Sequence, residues 1–124
     1  MERLLKTATS AILNLDELLN RVDDDHELLV EIFNIFKTAY PAHLQRLSEA
    51  INGQDARKVE TESHTLKGML LNLSAVRAAS AAITLEGMGR ERRFDGAAGL
   101  LETLGSEIKI LLTQMDECAS ELRP

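Results

Sequence analysis

Apolar residues recur along most of this chain at spacings of three and four, the repeat of one helical face, and almost no stretch is rich in strand-favouring β-branched and aromatic residues. Asp16 to Val22 reads as a short amphipathic helix that ends near the acidic run Asp23-Asp24-Asp25. That run suits the positive end of the next helix, with Asp24 as N-cap and Glu27 three residues on. Leu28, Leu29, Ile32, Phe33, Ile35, Phe36 and Ala39 then form a wide stripe, which the pattern predicts is broken at Pro41. Pro41 suits the first turn of a following helix whose Leu44, Leu47 and Ile51 share one side, with Asn52-Gly53 ending it. Asp55 is placed to start a long helix through about Leu73, Ser74 to cap another over Ala75 to Gly89, and Arg90 to Phe94 to form a charged turn.

The last segment is the most regular. Leu101, Leu104, Ile108, Leu111, Met115, Cys118 and Leu122 alternate steps of three and four, the seam of a helical bundle. Short connections between long helices favour antiparallel neighbours, so the expected fold is all-α, an up-down-up-down four-helix bundle with one or two additional N-terminal helices. Residues 1–14 have mixed polarity and read as a linker or a loosely docked helix.

At 124 residues the chain fits one domain able to bury a core without staples. Its 20 acidic against 14 basic residues, net −6, argue against non-specific nucleic-acid binding, which needs Lys and Arg against phosphates. The single cysteine, Cys118, cannot form an internal disulfide and fits a reducing, cytoplasmic setting as a small core residue. No apolar run approaches the roughly 18 residues that a membrane span needs, and Ala11-Ile12-Leu13 is too short for a signal-peptide core.

The chemistry concentrates in Ser63-His64-Thr65-Leu66-Lys67-Gly68. Residues three and four apart on a helix are neighbours, so Lys67 and Gly68 both lie one turn from His64. At about 100° per residue, Val59, Ser63, Leu66, Leu70 and Leu73 fall in one core-facing sector, and His64 points roughly 140° away, toward solvent. Arg57, Glu60, Thr61, Lys67, Gly68, Leu71 and Ala75 share its half of the helix. An ordinary imidazole titrates at about pH 6.5, so a ring lone pair is available near neutrality to attack an electrophile. Lys67 can offset phosphoryl charge. Glycine inside a helix costs roughly 1 kcal/mol relative to alanine, and Gly68 would leave room for a bulky partner to close over the ring. With no Ser or Cys nucleophile and no acid-base pair implied, the suitable chemistry is direct capture of a phosphoryl group by His64.

The run His64-Thr65-Leu66-Lys67-Gly68 resembles the signature of the histidine-containing phosphotransfer domains of two-component phosphorelays. Asn72, Ala75 and Leu85-Glu86 fall where that pattern continues, and the resemblance covers roughly residues 16 to 122, with residues 15–124 as the domain. It implies a helical bundle in which His64 accepts a phosphoryl group from a receiver-domain aspartyl phosphate, assisted by Lys67, and passes it to another receiver. It also implies a phosphorylated intermediate without a kinase domain of its own and not an enzyme by itself. No cofactor of its own is expected, Mg²⁺ being supplied by the receiver. Response-regulator receivers are the expected partners, with a hybrid sensor histidine kinase as a further candidate, and the chain is expected to be a monomer. Docking is expected near Arg57, Glu60, Thr61, Leu71 and Asn72 and the helix after Asp24. Two departures stand out: Met69-Leu70-Leu71 follows the Lys-Gly pair in place of small residues, and Ser74 replaces a frequent glycine. Leu70 and Met69 are expected in the core, Leu71 exposed beside His64, and Glu86 structural or solvent-facing rather than reactive.

Other readings compete. An acidic bundle could dock a partner without carrying phosphate, although such a protein has no need of Lys67 and Gly68 around an exposed His64. A phosphotransfer domain of the chemotaxis-kinase type shares the same run and bundle. A kinase's own dimerisation helices are disfavoured, since no glycine-rich ATP segment is present. Metal binding is not expected: Asp23 and His26 have one suitable spacing, but a di-iron bundle wants a Glu-x-x-His from each of two helices plus two more carboxylates. His26 and His43 read as surface residues.

Overall fold

The computed structural model describes Leu13 and residues 15–122. Five helices follow one another: α1 Leu15–Arg21, α2 His26–Asn52, α3 Ala56–Asn72, α4 Val76–Arg90 and α5 Ala97–Leu122. The four long ones form the bundle: each packs on its sequence neighbour, and α5 closes back on α2. The expectations for residues 1–14 fall, apart from Leu13, outside the described residues, and Leu13 itself is fully buried.

The principal departure from the expected elements is at Pro41. One helix runs from His26 through Asn52 with the proline inside it, where two were expected. Proline removes one intrahelical hydrogen bond, a cost of about 3 kcal/mol in a helix interior. Apolar burial on both sides holds the segment straight through: Leu29, Phe33 and Phe36 before Pro41 and Leu47, Ala50 and Ile51 after it all enter the core. Pro41 itself is exposed, and Tyr40 stacks on Phe36 with ring centroids 5.1 Å apart. At about 1.5–3 kcal/mol for each large side chain buried, that stripe outweighs the missing bond.

All four turns between helices share one geometry. Asp23, Gln54, Ser74 and Arg92 have φ of 52°, 54°, 56° and 57°, the left-handed region. In each turn that residue's N–H and the next one bond back to helix carbonyls, as Gln54 N to Ile51 O (3.1 Å) and Asp55 N to Ala50 O (2.8 Å) do after α2. This is the Schellman ending, which glycine usually supplies. Gly53 is therefore not the residue that reverses the chain, since its φ is −89° and Gln54 takes the left-handed step. The same geometry moves two expected caps. Asp24 is itself left-handed, so Asp25 caps α2 by accepting from Leu28 N at 3.0 Å. Ser74 sits at the left-handed position and donates its hydroxyl to Glu17, so α4 begins after the buried Ala75 with no side-chain cap. Ala75 accordingly leaves the exposed half of α3's neighbourhood where the helical phase had put it. Asp55 does cap α3, accepting from Lys58 N at 3.1 Å.

The helix pair that carries the signature run is also the most closely packed. Ala78, Ala79, Ala81 and Ala82 give α4 a thin buried face. At Gly89 the two backbones nearly touch: a Cβ there would lie 2.6 Å from Glu60 N and 2.8 Å from Ala56 O. Glu60 meets Arg90 and His64 meets Glu86, so α3 and α4 run antiparallel. In α5, Leu104, Ile108, Leu111, Met115 and Cys118 are buried as the seam predicts, Leu101 is half-buried, and the side chain of Leu122 lies outside those described.

A methyl group at Gly89 has only backbone to meet, so Gly89→Ala should lower stability by roughly 1–3 kcal/mol. Gly68→Ala, with open space at its Cβ, should raise it by about 1 kcal/mol. Urea unfolding midpoints of the two variants measure both; an unchanged midpoint for Gly89→Ala would show slack between α3 and α4.

Candidate functional site

Val59, Ser63, Leu66, Leu70 and Leu73 are all buried, which turns the opposite side of α3 outward. His64 stands on that side with its side chain 65% exposed. Its ring is nevertheless anchored: Nδ1 lies 2.8 Å from Oε2 of Glu86 on α4. Lys67 Nζ lies 2.8 Å from the other oxygen of the same carboxylate, and Arg90 Nη2 lies 3.3 Å from Oε2. Arg90 also reaches Glu60 Oε2 at 3.3 Å, which ties the patch back to α3.

Of the two roles expected for Glu86, structural or solvent-facing, the structure leaves the first. The residue is 7% exposed and not solvent-facing, and it joins the imidazole to the cation one turn away. The hydrogen bond from Lys67 holds its carboxyl below the usual range; burial pushes the other way, and the bond from His64 adds to the lowering. An ionised carboxylate can only accept, so the ring must present Nδ1–H to it. The lone pair of the neutral ring then sits on Nε2, the nitrogen directed away from Glu86.

Gly68 supplies open space. A Cβ placed there meets nothing within 4 Å among the described residues. No internal contact requires a glycine, unlike at Gly89. Arg57, Glu60, Thr61, His64, Thr65, Glu86 and Arg90 line a shallow open depression, so three of the expected docking residues border the histidine. Leu71 is 42% exposed, Met69 half-buried and Asn72 exposed. The carbonyls of Leu71 and Asn72 accept from Arg21 of α1 at 3.3 and 3.0 Å, a cation at a helix C-terminus. No local pattern pointed to that contact, nor to Ile83, which is 47% exposed one turn before Glu86.

The remaining histidines behave differently. His26 opens α2 and is exposed. His43 is half-buried, against expectation; its Nδ1 lies 2.8 Å from Oε1 of Glu62 and 3.0 Å from Nη2 of Arg46, while Nε of Arg46 donates to the second Glu62 oxygen at 3.1 Å. Burial raises the Glu62 carboxyl most strongly, but the bonds from His43 and Arg46 together outweigh it and leave it lowered. Among the described residues no group of three or more His, Cys, Asp or Glu is placed to hold a metal ion, and no helix is long and apolar enough to cross a membrane.

A carboxylate whose folded pKa is depressed adds stability above its unfolded value and loses it as pH falls through the folded one. For Glu86 and Glu62 that loss begins below the ordinary 4.5. Glu86→Gln is therefore expected to flatten the fall in stability between about pH 5 and pH 3. Urea midpoints across that range test it, and an unaltered slope would mean that the carboxylate gains nothing from its partners in the fold.

The comparison with curated proteins found no significant match, and neither did the comparison with solved structures. A family model, that of the Hpt domain, matches residues 31–122. The match takes in the whole of α3 and α4 with the run His64-Thr65-Leu66-Lys67-Gly68 and Glu86, and the helical bundle is the architecture that it requires. This chain belongs to the Hpt domain family.

Proposed function

We propose that this chain accepts a phosphoryl group on Nε2 of His64 from the aspartyl phosphate of a receiver domain and passes it to a second receiver. The observation that carries the reading is an exposed imidazole whose Nδ1 is committed to Glu86, beside a glycine with open space. In the forward step the Nε2 lone pair attacks phosphorus, the bond from phosphorus to the aspartyl oxygen breaks, and its electrons return to the receiver's carboxylate. Transfer between two docked surfaces needs mainly alignment and charge compensation. Lys67 would compensate the incoming charge, and the receiver would bring its own Mg²⁺. The phosphoryl group can move either way, so direction follows whichever partner drains it.

On this reading the chain is a relay intermediate without a kinase domain of its own, working as a cytoplasmic monomer. Receivers would dock over Arg57, Glu60 and Thr61 on one side of His64 and over Leu71, Asn72 and Ile83 on the other. A modest interface of this kind suits transient, micromolar association.

The test is to incubate the chain with a panel of phosphorylated receivers and Mg²⁺ and to follow label into wild type and His64→Gln. Acid-labile, base-stable label on wild type alone is expected, and equal label on His64→Gln would sink the proposal. Gly68→Gln should slow transfer roughly 10- to 100-fold while its unfolding midpoint stays close to wild type, because a misfit of about 1 Å between docked surfaces has that effect. Lys67→Ala should slow transfer less than loss of His64 does. Transfer by Gly68→Gln at the wild-type rate would refute the clearance argument alone.

A further inference from the structure

An amide at position 86 could accept one N–H from the ring as well as a carboxylate does. The chain instead buries a charge there, with only 9% of the Glu86 side chain exposed, and surrounds it with Lys67 and Arg90. Burying a charge is costly unless it is matched, and Lys67 and Arg90 hold this one ionised. Its Oε2 is thereby kept as an anionic oxygen 2.8 Å from Nδ1 of His64, a ring that becomes positive once it is phosphorylated.

We infer that Glu86 is the counter-ion of a phosphoimidazolium: its negative charge, beyond its acceptor oxygen, keeps the Nδ1 proton on phosphorylated His64 and so sets how readily the phosphoryl group leaves. The inference deepens the proposed phosphotransfer and rests on it. In the loading step a neutral ring, protonated at Nδ1, forms a bond from Nε2 to phosphorus, and the leaving group takes the electrons of the bond that breaks. No proton need move, and the ring gains one positive charge, held 2.8 Å from the Glu86 carboxylate. In the unloading step an aspartate oxygen or water attacks phosphorus, the bond from phosphorus to Nε2 breaks, and its electron pair returns to Nε2. The ring departs as neutral imidazole, still donating Nδ1–H to Glu86. Without that proton the leaving group would be an imidazolate, a far poorer one. Glu86 is thus a positioning residue that acts through His64 without touching the phosphoryl group.

Other charges face the same ring. On α3 they are Arg57, Glu60 and Lys67, and on α4 Arg90 joins Glu86. Glu60 is engaged by Arg90, and Lys67 by the oxygen of Glu86 that the ring does not use. The Oε2 atom that faces Nδ1 is shared with Arg90 alone, at the longer distance of 3.3 Å. Glu86 is therefore the anionic group in hydrogen-bond contact with the ring.

The experiment loads wild type, Glu86→Gln and His64→Gln with potassium phosphoramidate, from which Nε2 displaces ammonia, and follows loss of phosphohistidine from pH 5 to 9 by ³¹P NMR with no partner present. His64→Gln identifies the signal that belongs to His64. Wild type should keep its fast loss to higher pH, and Glu86→Gln should lose label about tenfold more slowly near pH 8, the effect of one ion pair on a titrating group. Superimposable profiles would overturn the inference, as would failure of phosphoramidate to load wild-type His64. A measurement on wild type alone covers a variant that folds poorly: ¹⁵N NMR of the phosphorylated protein should show Nδ1 protonated above the pH at which free phosphohistidine loses that proton, and loss at the same pH would overturn the inference. If phosphoramidate loads His64 and the profiles separate but no phosphorylated receiver transfers to it, the relay reading fails and the counter-ion role stands.

Discussion

The approach of two backbones at Gly89 sets the arrangement on which the site depends. Glu60 N and Ala56 O occupy the space where a side chain would stand, so α3 and α4 cannot slide past one another without a clash. Because the pair is antiparallel, one turn onward along α3 from Glu60 is His64, and one turn back along α4 from Gly89 is Glu86. The 2.8 Å contact between them is thus a consequence of a register fixed at the glycine. The four alanines of α4 continue the close packing along the rest of the pair.

Charge is distributed with similar economy. One buried carboxylate receives an imidazole N–H, an ammonium and a guanidinium, and their donation keeps it ionised despite its burial. Such a group is strongly held in place, since removing any donor leaves a charge less compensated in a poorly solvated position. The ring gains a fixed orientation while most of its surface stays open. A second cluster, His43 with Glu62 and Arg46, uses the same components between α2 and α3 but leaves its histidine half-buried. Exposure distinguishes the two histidines, as does the Arg46 guanidinium that lies 3.0 Å from Nδ1 of His43.

Local rules were legible in the sequence and long-range ones were not. Helical phase alone turned Val59, Ser63, Leu66, Leu70 and Leu73 inward and His64 outward, because one face of a regular helix is decided by its own residues. The α5 seam was readable for the same reason. Pro41 misled because its cost is local whereas the burial that offsets it is tertiary. Ser74 and Asp24 misled because both are good capping residues that the turns place in a left-handed conformation, which a composition-based reading assigns to glycine. Glu86 lies 22 residues from His64, and although the family resemblance picks out Leu85-Glu86, no local pattern pairs it with the ring. Finding it requires the α3–α4 register, which follows from a contact that only coordinates reveal.

Two glycines on adjacent helices illustrate how one residue type serves opposite ends. Gly89 is buried and lacks a side chain because another backbone fills the space, so its absence of Cβ is a condition of packing. Gly68 is exposed and meets nothing within its own described surroundings, so the fold gains nothing from it and forgoes the helix stability that alanine would add. Gly87, Gly99 and Gly105 have the same open space, so what sets Gly68 apart is its place one turn from an anchored, solvent-facing imidazole. Gly89 builds the pedestal, and in the proposed relay Gly68 leaves the approach clear. An alanine would therefore be expected to lower stability at Gly89 and, at Gly68, to add helix stability while narrowing partner access, although both sit within a single pair of helices.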